Sequence, residues 1–273
     1  MRFTKMQATG NDFVMIDART DERDWSALAR ALCPRRFGVG ADGLILVLDS
    51  GRADFRMRIF NPDGSEAETC GNGLRCFARY VFEKGLSRRK ALTIETLAGV
   101  VHAEIRDGLV RIGMGTPQFE PSKIPAAVED REGPVLDYPL TVGRRELALS
   151  LVSMGNPHAV AFMSDPVSDF PLHEIGPLIE HHRLFPKRTN FEIVNLLDRG
   201  HLRVRIWERG AGETLSCGSG ACAVAVAAHL KGFTGDAVEV QVPGGALQLE
   251  WSGQGEVHLT GPAERVFEGE WPE

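Results

Sequence analysis

The sequence has few cysteines, no long hydrophobic run and no excess of positive charge, and each absence excludes a class of protein. Five cysteines in 273 residues are too few for a disulfide scaffold, and their odd number also argues against one. The longest uninterrupted apolar run, Ala221 to Ala228, is far shorter than the roughly 20 residues of a membrane-spanning helix. The net charge is −6, whereas nucleic-acid-binding proteins usually have a basic face that neutralises phosphates. We therefore expect no membrane span and no nucleic-acid partner.

The composition is that of an ordinary globular protein. Hydrophobic residues make up 43% of the chain, which is enough for a core and excludes intrinsic disorder. The first residues, MRFTKMQATGNDF, lack the apolar core of a signal peptide, so we expect a cytoplasmic protein. In that reducing compartment the cysteines should be free thiols.

The chain contains an internal repeat, since four segments of the first half recur in the second half in the same order. The separations are 145 to 147 residues. The pairs are Gly10–Phe13 with Gly155–His158, Arg58–Asn61 with Arg205–Glu208, Cys70–Gly73 with Cys217–Gly220, and Gly99–Gly115 with Gly245–Gly261. Four matches in one register indicate two homologous domains. We predict a first domain at 1–117, completed by residues 263–273, and a second at 118–262, with the boundary in the proline-rich stretch Pro117–Pro134.

Hydrophobic periodicity gives the elements of each domain. Alternating or apolar runs predict strands, and i, i+3, i+4 spacing predicts helices. The predicted strands include Asp54–Phe60, Leu92–Thr96, Val100–Ile105 and Leu109–Met114, and the predicted helices are Trp25–Leu32, the segment between Cys70 and Gly85, and Ala221–Leu230. The last of these is apolar on every side and must be surrounded by other elements. The predicted fold is therefore α+β, with two pseudo-symmetric lobes, each a curved, mainly antiparallel, barrel-like sheet around a central buried helix.

In both repeats a cysteine, Cys70 or Cys217, stands immediately before a glycine-flanked helix start. The first turn of a helix carries unpaired backbone N–H groups and partial positive charge. We therefore expect the pKa of both thiols to lie below the usual value of about 8.5, and the same N–H groups could hold a carboxylate. Cys76 and Cys222 lie further into the helices, where a core position is expected.

Three functions are open to a pair of thiols, one in each domain, across an interdomain cleft. A redox disulfide is disfavoured because redox pairs usually have Cys-x-x-Cys on one element. Zinc is disfavoured because neither cysteine spacing matches a structural zinc site. Acid–base catalysis remains: one thiolate removes a proton from a carbon while the opposing thiol protonates its other face, which inverts the stereocentre.

The same segments resemble the diaminopimelate epimerase family, and the resemblance covers essentially the whole chain. The matching motifs are Ala8–Phe13, Cys70–Cys76, Gly155–His158, Trp207–Gly210 and Cys217–Gly220. The resemblance implies interconversion of LL- and meso-2,6-diaminopimelate without pyridoxal phosphate, metal or any other cofactor, on the route to lysine and peptidoglycan. It also implies two lobes that close over this small-molecule substrate, and a homodimer.

Residue by residue, the resemblance assigns the following roles. It makes Cys70 and Cys217 the two catalytic bases, and His158 and Glu208 the groups that adjust their pKa values. The implied substrate-binding residues are Asn11, Asn61, Gly71, Asn72, Asn156, Asn190, Glu208, Arg209, Gly218 and Ser219. The backbone N–H groups around Gly71, Asn72, Gly218 and Ser219 would hold the reacting carboxylate and stabilise charge that develops there.

Three positions depart from the family pattern. Gly43 stands where some members have a substrate-contacting Gln, so that contact is not expected here. Ser219 replaces the commoner Thr, and Phe267 replaces a Tyr often found at the dimer contact. The alternatives left open are a proline or hydroxyproline racemase and, from another class, a redox-switched thiol binding protein. Glu208 and Arg209 argue against the racemase, because its substrates have no distal ammonium and carboxylate.

Overall fold

The computed structural model describes residues 1–128 and 133–272. Its elements follow one another in chain order as four helices, one short 3-10 turn at Val167–Asp169 and eighteen strands. The first part of the chain contains β1 Arg2–Ala8, β2 Asn11–Asp17, α1 Trp25–Leu32, β3 Gly43–Leu48, β4 Phe55–Phe60, β5 Glu66–Ala67, α2 Gly71–Glu83, β6 Ala91–Thr96, β7 Gly99–Arg106 and β8 Leu109–Gly113. The second part contains β9 Tyr138–Val142, β10 Arg145–Ser153, β11 Pro157–Phe162, α3 Leu172–Glu180, β12 Asn190–Asp198, β13 His201–Glu208, β14 Gly212–Thr214, α4 Gly218–Leu230, β15 Ala237–Val242, β16 Gly245–Glu250, β17 His258–Gly261 and β18 Glu264–Glu270.

The chain separates into two compact units. Unit 1 comprises 1–113 together with 260–273, and unit 2 comprises 114–259. Unit 1 is discontinuous because β18 pairs antiparallel with β1, bringing Glu270 opposite Arg2. The stretch Pro117–Pro134 contains residues 129–132, which lie outside the described residues. Within its described part, Ile124 is fully buried in the core of unit 2.

In unit 1, helix α2 is the central element. It contacts β1, β2, β3, β4, β7, β8 and β18, and Leu74, Cys76, Phe77 and Val81 are buried along it. This face follows the 3.6-residue periodicity of its apolar side chains. The helix ends before Gly85, whose φ of +67° is the left-handed conformation that glycine readily adopts.

In unit 2, helix α4 has the corresponding place. It contacts β10, β11, β12, β15 and β16, and its residues 220–228 are all buried. Small side chains, mainly alanine and valine, fit this position because strands surround the helix on several sides.

The sheet pairings are mostly antiparallel, as predicted. The pairs β2–β3, β4–β6, β11–β12 and β13–β15 are parallel. The α+β class and the predicted helices and strands are confirmed to within three residues at each end. Helix α3 is missing from the prediction, because Pro177 stands inside it and proline normally breaks a helical pattern. In the described part of the chain, no helix combines the length and hydrophobicity needed to cross a bilayer.

Candidate active site

Cys70 is the N-cap of α2. Its φ and ψ of −151° and 118° are extended, and its sulfur accepts a hydrogen bond from the Gly73 N–H at 3.4 Å. The thiol also lies 3.9 Å from Asn11 Oδ1, which accepts a second hydrogen bond from Asn72 Nδ2 at 3.2 Å. The sequence-predicted residues Asn11, Asn72 and Cys70 are therefore in contact around the first turn of α2.

A charged cluster behind Asn11 fixes its side chain. Asn11 Nδ2 donates to Asp42 Oδ2 at 2.8 Å, so its carbonyl oxygen points towards Cys70. Asp42 and Asp12 both accept from Arg35, and Lys5 pairs with Asp12 at 2.6 Å. Burial opposes ionisation of Asp12, but the hydrogen bonds from Arg35 and Lys5 outweigh it, and the net pKa of Asp12 is lowered. Asp12 is thus held as a carboxylate, and the hydrogen bond to Asp42 orients Asn11.

Asn61 lies in the turn after β4. Its backbone N–H donates to the Ser65 carbonyl at 2.8 Å, and its side-chain Nδ2 donates to Ser65 Oγ at 2.9 Å. Gly64, in the same turn, has a φ of +85°, as the Asn-Pro-Asp-Gly sequence predicts. The side-chain oxygen of Asn61 is not used in these bonds.

Cys217 is the N-cap of α4, and only 7% of its surface is exposed. Its sulfur lies 3.4 Å from Ser219 Oγ. Burial raises the pKa of the Cys217 thiol well above its usual value, and the negative charge of Glu208 acts in the same direction. The hydrogen bonds of Ser219 and the Gly220 amide only partly oppose this. The predicted lowering of the pKa is therefore wrong for Cys217, because the sequence did not reveal how completely the thiol is desolvated.

His158 is completely buried between two side chains. Its Nδ1 lies 2.6 Å from Glu192 Oε1, and its Nε2 lies 2.9 Å from Asn156 Oδ1. Burial raises the pKa of Glu192, and the neighbouring His158 opposes this shift. Asn156 in turn donates from Nδ2 to Ser219 Oγ at 3.3 Å. Three side chains, those of His158, Asn156 and Ser219, thus connect Glu192 to the thiol of Cys217.

Glu208 and Arg209 lie where β13 ends. Glu208 accepts a hydrogen bond from Thr214 Oγ1, and the exposed Arg209 donates to the Lys187 carbonyl at 3.2 Å. Asn190 is buried, and its amide bridges two backbone groups: Oδ1 accepts from Arg209 N, and Nδ2 donates to the Pro157 carbonyl. In this structure Asn190 therefore fixes the start of the Arg209 turn.

Three carboxylates of the site were not identified from the sequence. They are the exposed Asp42 and the buried Glu180 and Glu192. Glu180 accepts from Trp207 Nε1 at 2.8 Å and from Gly210 N at 3.0 Å, so it braces the turn that carries Glu208 and Arg209. For Glu192 a signal was present, since a charged residue interrupts an otherwise apolar run in β12. Within 1–128 and 133–272, no group of three or more His, Cys, Asp or Glu side chains could hold a metal ion.

Comparison with known proteins places this arrangement in a family. The family model described as diaminopimelate epimerase matches residues 3–120 and 150–266. A diaminopimelate epimerase of Moorella thermoacetica is 51% identical, covering 100% of this chain and 99% of that protein. One of Methanococcus maripaludis is 45% identical, with 99% of each chain covered. The chain belongs to the diaminopimelate epimerase family. The resemblance inferred from the sequence is confirmed.

Solved structures extend the likeness of fold beyond this family. A phenazine biosynthesis protein of the PhzF family from Bacillus anthracis has a TM-score of 0.72 at 18% identity, over 100% of this chain and 99% of that chain. A hydroxyproline epimerase from Agrobacterium vitis has a TM-score of 0.68 at 18% identity, over 98% and 91%. At such low identity the likeness concerns the fold alone.

Proposed function

We propose that the chain is a cofactor-independent epimerase that interconverts LL- and meso-2,6-diaminopimelate and supplies precursors of lysine and peptidoglycan. Membership of the diaminopimelate epimerase family supports the substrate. The observation that carries the proposal is the placement of Cys70 and Cys217, each at the N-cap of the buried helix of its unit.

In this mechanism Cys70 and Cys217 exchange roles as base and acid. The thiolate of one cysteine removes the α-proton, and the thiol of the other delivers a proton to the opposite face of the same carbon. The reverse reaction uses the same groups with the roles exchanged, so two like residues serve both directions. His158 and Glu208 adjust the pKa values of the two thiols, and burial together with the charge of Glu208 raises the pKa of Cys217.

The amides at the helix starts would hold the reacting carboxylate. Removal of the α-proton moves negative charge into that carboxylate, and donors already aimed at it stabilise the transition state. The backbone N–H groups proposed for this role are those of Gly71, Asn72, Gly218 and Ser219. This role requires no side chain at position 219, so Ser in place of Thr leaves it intact.

The remaining polar residues would recognise the distal, unreacting amino-acid end. Arg209 suits a carboxylate because a guanidinium binds it in a bidentate fork, and Glu208 suits an ammonium. The proposed set is completed by four side-chain amides, those of Asn11, Asn61, Asn156 and Asn190. Proline and hydroxyproline lack this second end and would leave Glu208 and Arg209 unpaired. We therefore expect turnover of diaminopimelate and none of L-proline.

The proposal also includes the wider organisation of the molecule. The two domains would be copies of one duplicated, barrel-like lobe. The first would comprise 1–117 together with 263–273, and the second would comprise 118–262. The protein would be cytoplasmic and would form a homodimer. Phe267, on β18, is 46% exposed and packs edge-on against Phe3 with ring centroids 6.0 Å apart, so its ring is already held in place for such a contact.

Replacement of each cysteine tests the proposed function. Cys70→Ala and Cys217→Ala should each lower kcat for LL-diaminopimelate by at least roughly 10²- to 10⁴-fold, the usual contribution of one general acid or base. The wild type should remain fully active with EDTA and without added pyridoxal phosphate. Conversion of LL- to meso-diaminopimelate, followed by chiral chromatography, measures both results.

Cys222→Ala is the matched control. It removes a thiol from the same helix as Cys217 but at a fully buried core position, so activity should be kept. Full activity of either Cys70→Ala or Cys217→Ala would exclude the two-thiol mechanism. A wild type that binds diaminopimelate but converts none of it would favour a redox-switched binding protein.

A further inference from the structure

In unit 2, an uninterrupted series of polar contacts leads from a buried carboxylate to the thiol of Cys217. Glu192 Oε1 lies 2.6 Å from His158 Nδ1, and His158 Nε2 lies 2.9 Å from Asn156 Oδ1. Asn156 Nδ2 donates to Ser219 Oγ at 3.3 Å, and Ser219 Oγ lies 3.4 Å from Cys217 Sγ. Glu192 and His158 are both 0% exposed.

The donors and acceptors of this series have only one consistent arrangement at its thiol end. His158 Nε2 faces a carbonyl oxygen, so it must carry a proton. Asn156 then uses its amide N–H groups towards Ser219, whose oxygen accepts. The hydroxyl proton of Ser219 is left to donate to the sulfur of Cys217, which favours the thiolate.

At the carboxylate end, one proton is shared between Glu192 Oε1 and His158 Nδ1. It can lie on either atom, and in both cases the pair is neutral overall and the imidazole ring is fixed. Glu192 Oε2 has no hydrogen-bond partner among the described residues. A buried carboxylate with an unpaired oxygen is costly, so this oxygen favours the protonated, neutral form of Glu192.

Unit 1 contains the same framework without the polar pair. In unit 1 the parallel strands β2 and β3 place Phe13 opposite Gly43, and in unit 2 the strands β11 and β12 place His158 opposite Asn190. The internal repeat relates Phe13 to His158. It also relates Gly43 and Ile45 to Asn190 and Glu192, each 147 residues later.

The glycines after the two cysteines confirm this equivalence. A Cβ built on Gly73 would lie 2.9 Å from Ile45 Cδ1 and 3.4 Å from the Cβ of Cys70. A Cβ built on Gly220 would lie 3.0 Å from Glu192 Oε1 and 3.4 Å from the Cβ of Cys217. Ile45 and Glu192 therefore lie at the same place beneath the first turn of the central helix.

The fold itself does not need a buried carboxylate there. In unit 1, Phe13 and Ile45 fill the corresponding positions and are buried. Replacement of a buried polar or ionic pair by apolar side chains is often neutral or stabilising. Unit 2 has the polar pair His158 and Glu192 where unit 1 has the apolar pair Phe13 and Ile45. The contact of the polar pair with the residues around Cys217 explains this difference better than packing does.

We propose that Glu192 is a positioning residue, which fixes the ring of His158 so that Asn156 and Ser219 are held in the orientation that directs the serine hydroxyl at the Cys217 sulfur. This inference rests on the proposed role of Cys217 in epimerisation. Glu192 itself does not touch the substrate in this scheme.

Two substitutions of Glu192 test the proposal. Glu192→Ile introduces the residue of unit 1 and removes the contact to His158, so kcat for LL-diaminopimelate should fall by roughly 10²-fold, as for a misplaced catalytic group. Glu192→Gln keeps the shape and can donate an N–H to His158 Nδ1, so most of the kcat should be restored. Ile45→Val, at the equivalent position of unit 1, is the control and should keep its activity.

A second readout does not depend on turnover. The rate at which iodoacetamide alkylates Cys217 at fixed pH can be measured on the Cys217 peptide by mass spectrometry. This rate should be lower in Glu192→Ile than in the wild type, and close to the wild-type rate in Glu192→Gln. Faster alkylation in Glu192→Ile would show that Glu192 acts through its charge and would overturn the proposal. A wild-type kcat in Glu192→Ile, or a Glu192→Gln variant as impaired as Glu192→Ile, would overturn it too.

The double variant His158→Phe/Glu192→Ile covers the case in which Glu192→Ile alone fails to fold. It reproduces the pair of unit 1, so its urea midpoint should equal or exceed that of the wild type while its kcat and alkylation rate fall. A double variant that is stable and fully active would contradict the proposal. The proposed function and the positioning role can also be separated. If the wild type has no epimerase activity, but alkylation is slow in Glu192→Ile and normal in Glu192→Gln, the proposed function is refuted and the positioning role of Glu192 is supported.

Discussion

Cys70 and Cys217 occupy the same position at their helix starts, but their surroundings differ. Cys70 is half-buried and contacts the neutral amides of Gly73 and Asn11. Cys217 is buried, and the carboxylate of Glu208 acts on it. Burial and that negative charge both disfavour a thiolate, so Cys217 should hold its proton over a wider pH range than an ordinary cysteine.

Removal of the Glu208 charge should therefore make Cys217 ionise more easily. The negative charge raises the pKa of the thiol, so Glu208→Gln should lower that pKa and move the onset of alkylation to lower pH. The rate of iodoacetamide labelling of the Cys217 peptide between pH 6 and about 10 measures the shift.

Glu146→Gln is a suitable control, because it removes a carboxylate that is exposed to solvent at the start of β10. Its labelling profile should coincide with that of the wild type. An unchanged or upward-shifted profile in Glu208→Gln would show that burial alone sets the pKa of Cys217.

At the scale of elements, helix α3 holds the turn that carries Glu208 and Arg209. Glu180, at the end of α3, bonds Trp207 Nε1 and Gly210 N. Gly176 lies directly against the indole of Trp207, and a Cβ built on it would be 2.5 Å from Trp207 Cδ2. The absence of a side chain at position 176 therefore allows the close approach of α3 to β13.

Gly176→Ala should destabilise the protein, although alanine is the better helix former. Helix propensity alone would stabilise it by about 1 kcal/mol, whereas the clash with a packed indole should cost about 1–3 kcal/mol. Urea unfolding followed by tryptophan fluorescence measures the net effect. Gly235→Ala, where a new Cβ meets no described atom within 4 Å, should leave the midpoint nearly unchanged. A more stable Gly176→Ala variant would show that the indole moves aside at little cost.

The same elements show how far sequence reasoning reaches. Helix α4 was predictable because an apolar run closed by Lys231 and Gly232 has few alternatives. Helix α3 was not, because Pro177 obscured its pattern and its stability comes from packing against Trp207. The cysteines of the site were selected because their motif recurs in both halves, and the asparagines were assigned through the family resemblance. Glu192 was not, because its role depends on a strand pairing that brings it next to His158.

At the scale of the whole molecule, the two units share a framework and differ in what they hold beneath the cysteine. Unit 1 combines a half-buried thiol with an apolar Phe13 and Ile45, whereas unit 2 combines a buried thiol with His158 and Glu192. A symmetric reaction does not require symmetric surroundings, because the two thiols need opposite protonation states in each direction of turnover. The difference in surroundings is thus compatible with one acid and one base in the free enzyme.

The origin of the proton in the product tests this central claim most directly. LL-diaminopimelate is incubated in deuterium oxide, and at low conversion the α-deuterium content of recovered substrate and of meso product is measured by mass spectrometry. If two thiols act from opposite faces, the product should contain deuterium, because the thiol that donates its proton has exchanged with solvent. The recovered substrate should contain protium, because the thiol that accepted the α-proton has not returned a proton to it. Product that retains protium, or substrate and product labelled equally from the start, would contradict the two-thiol account.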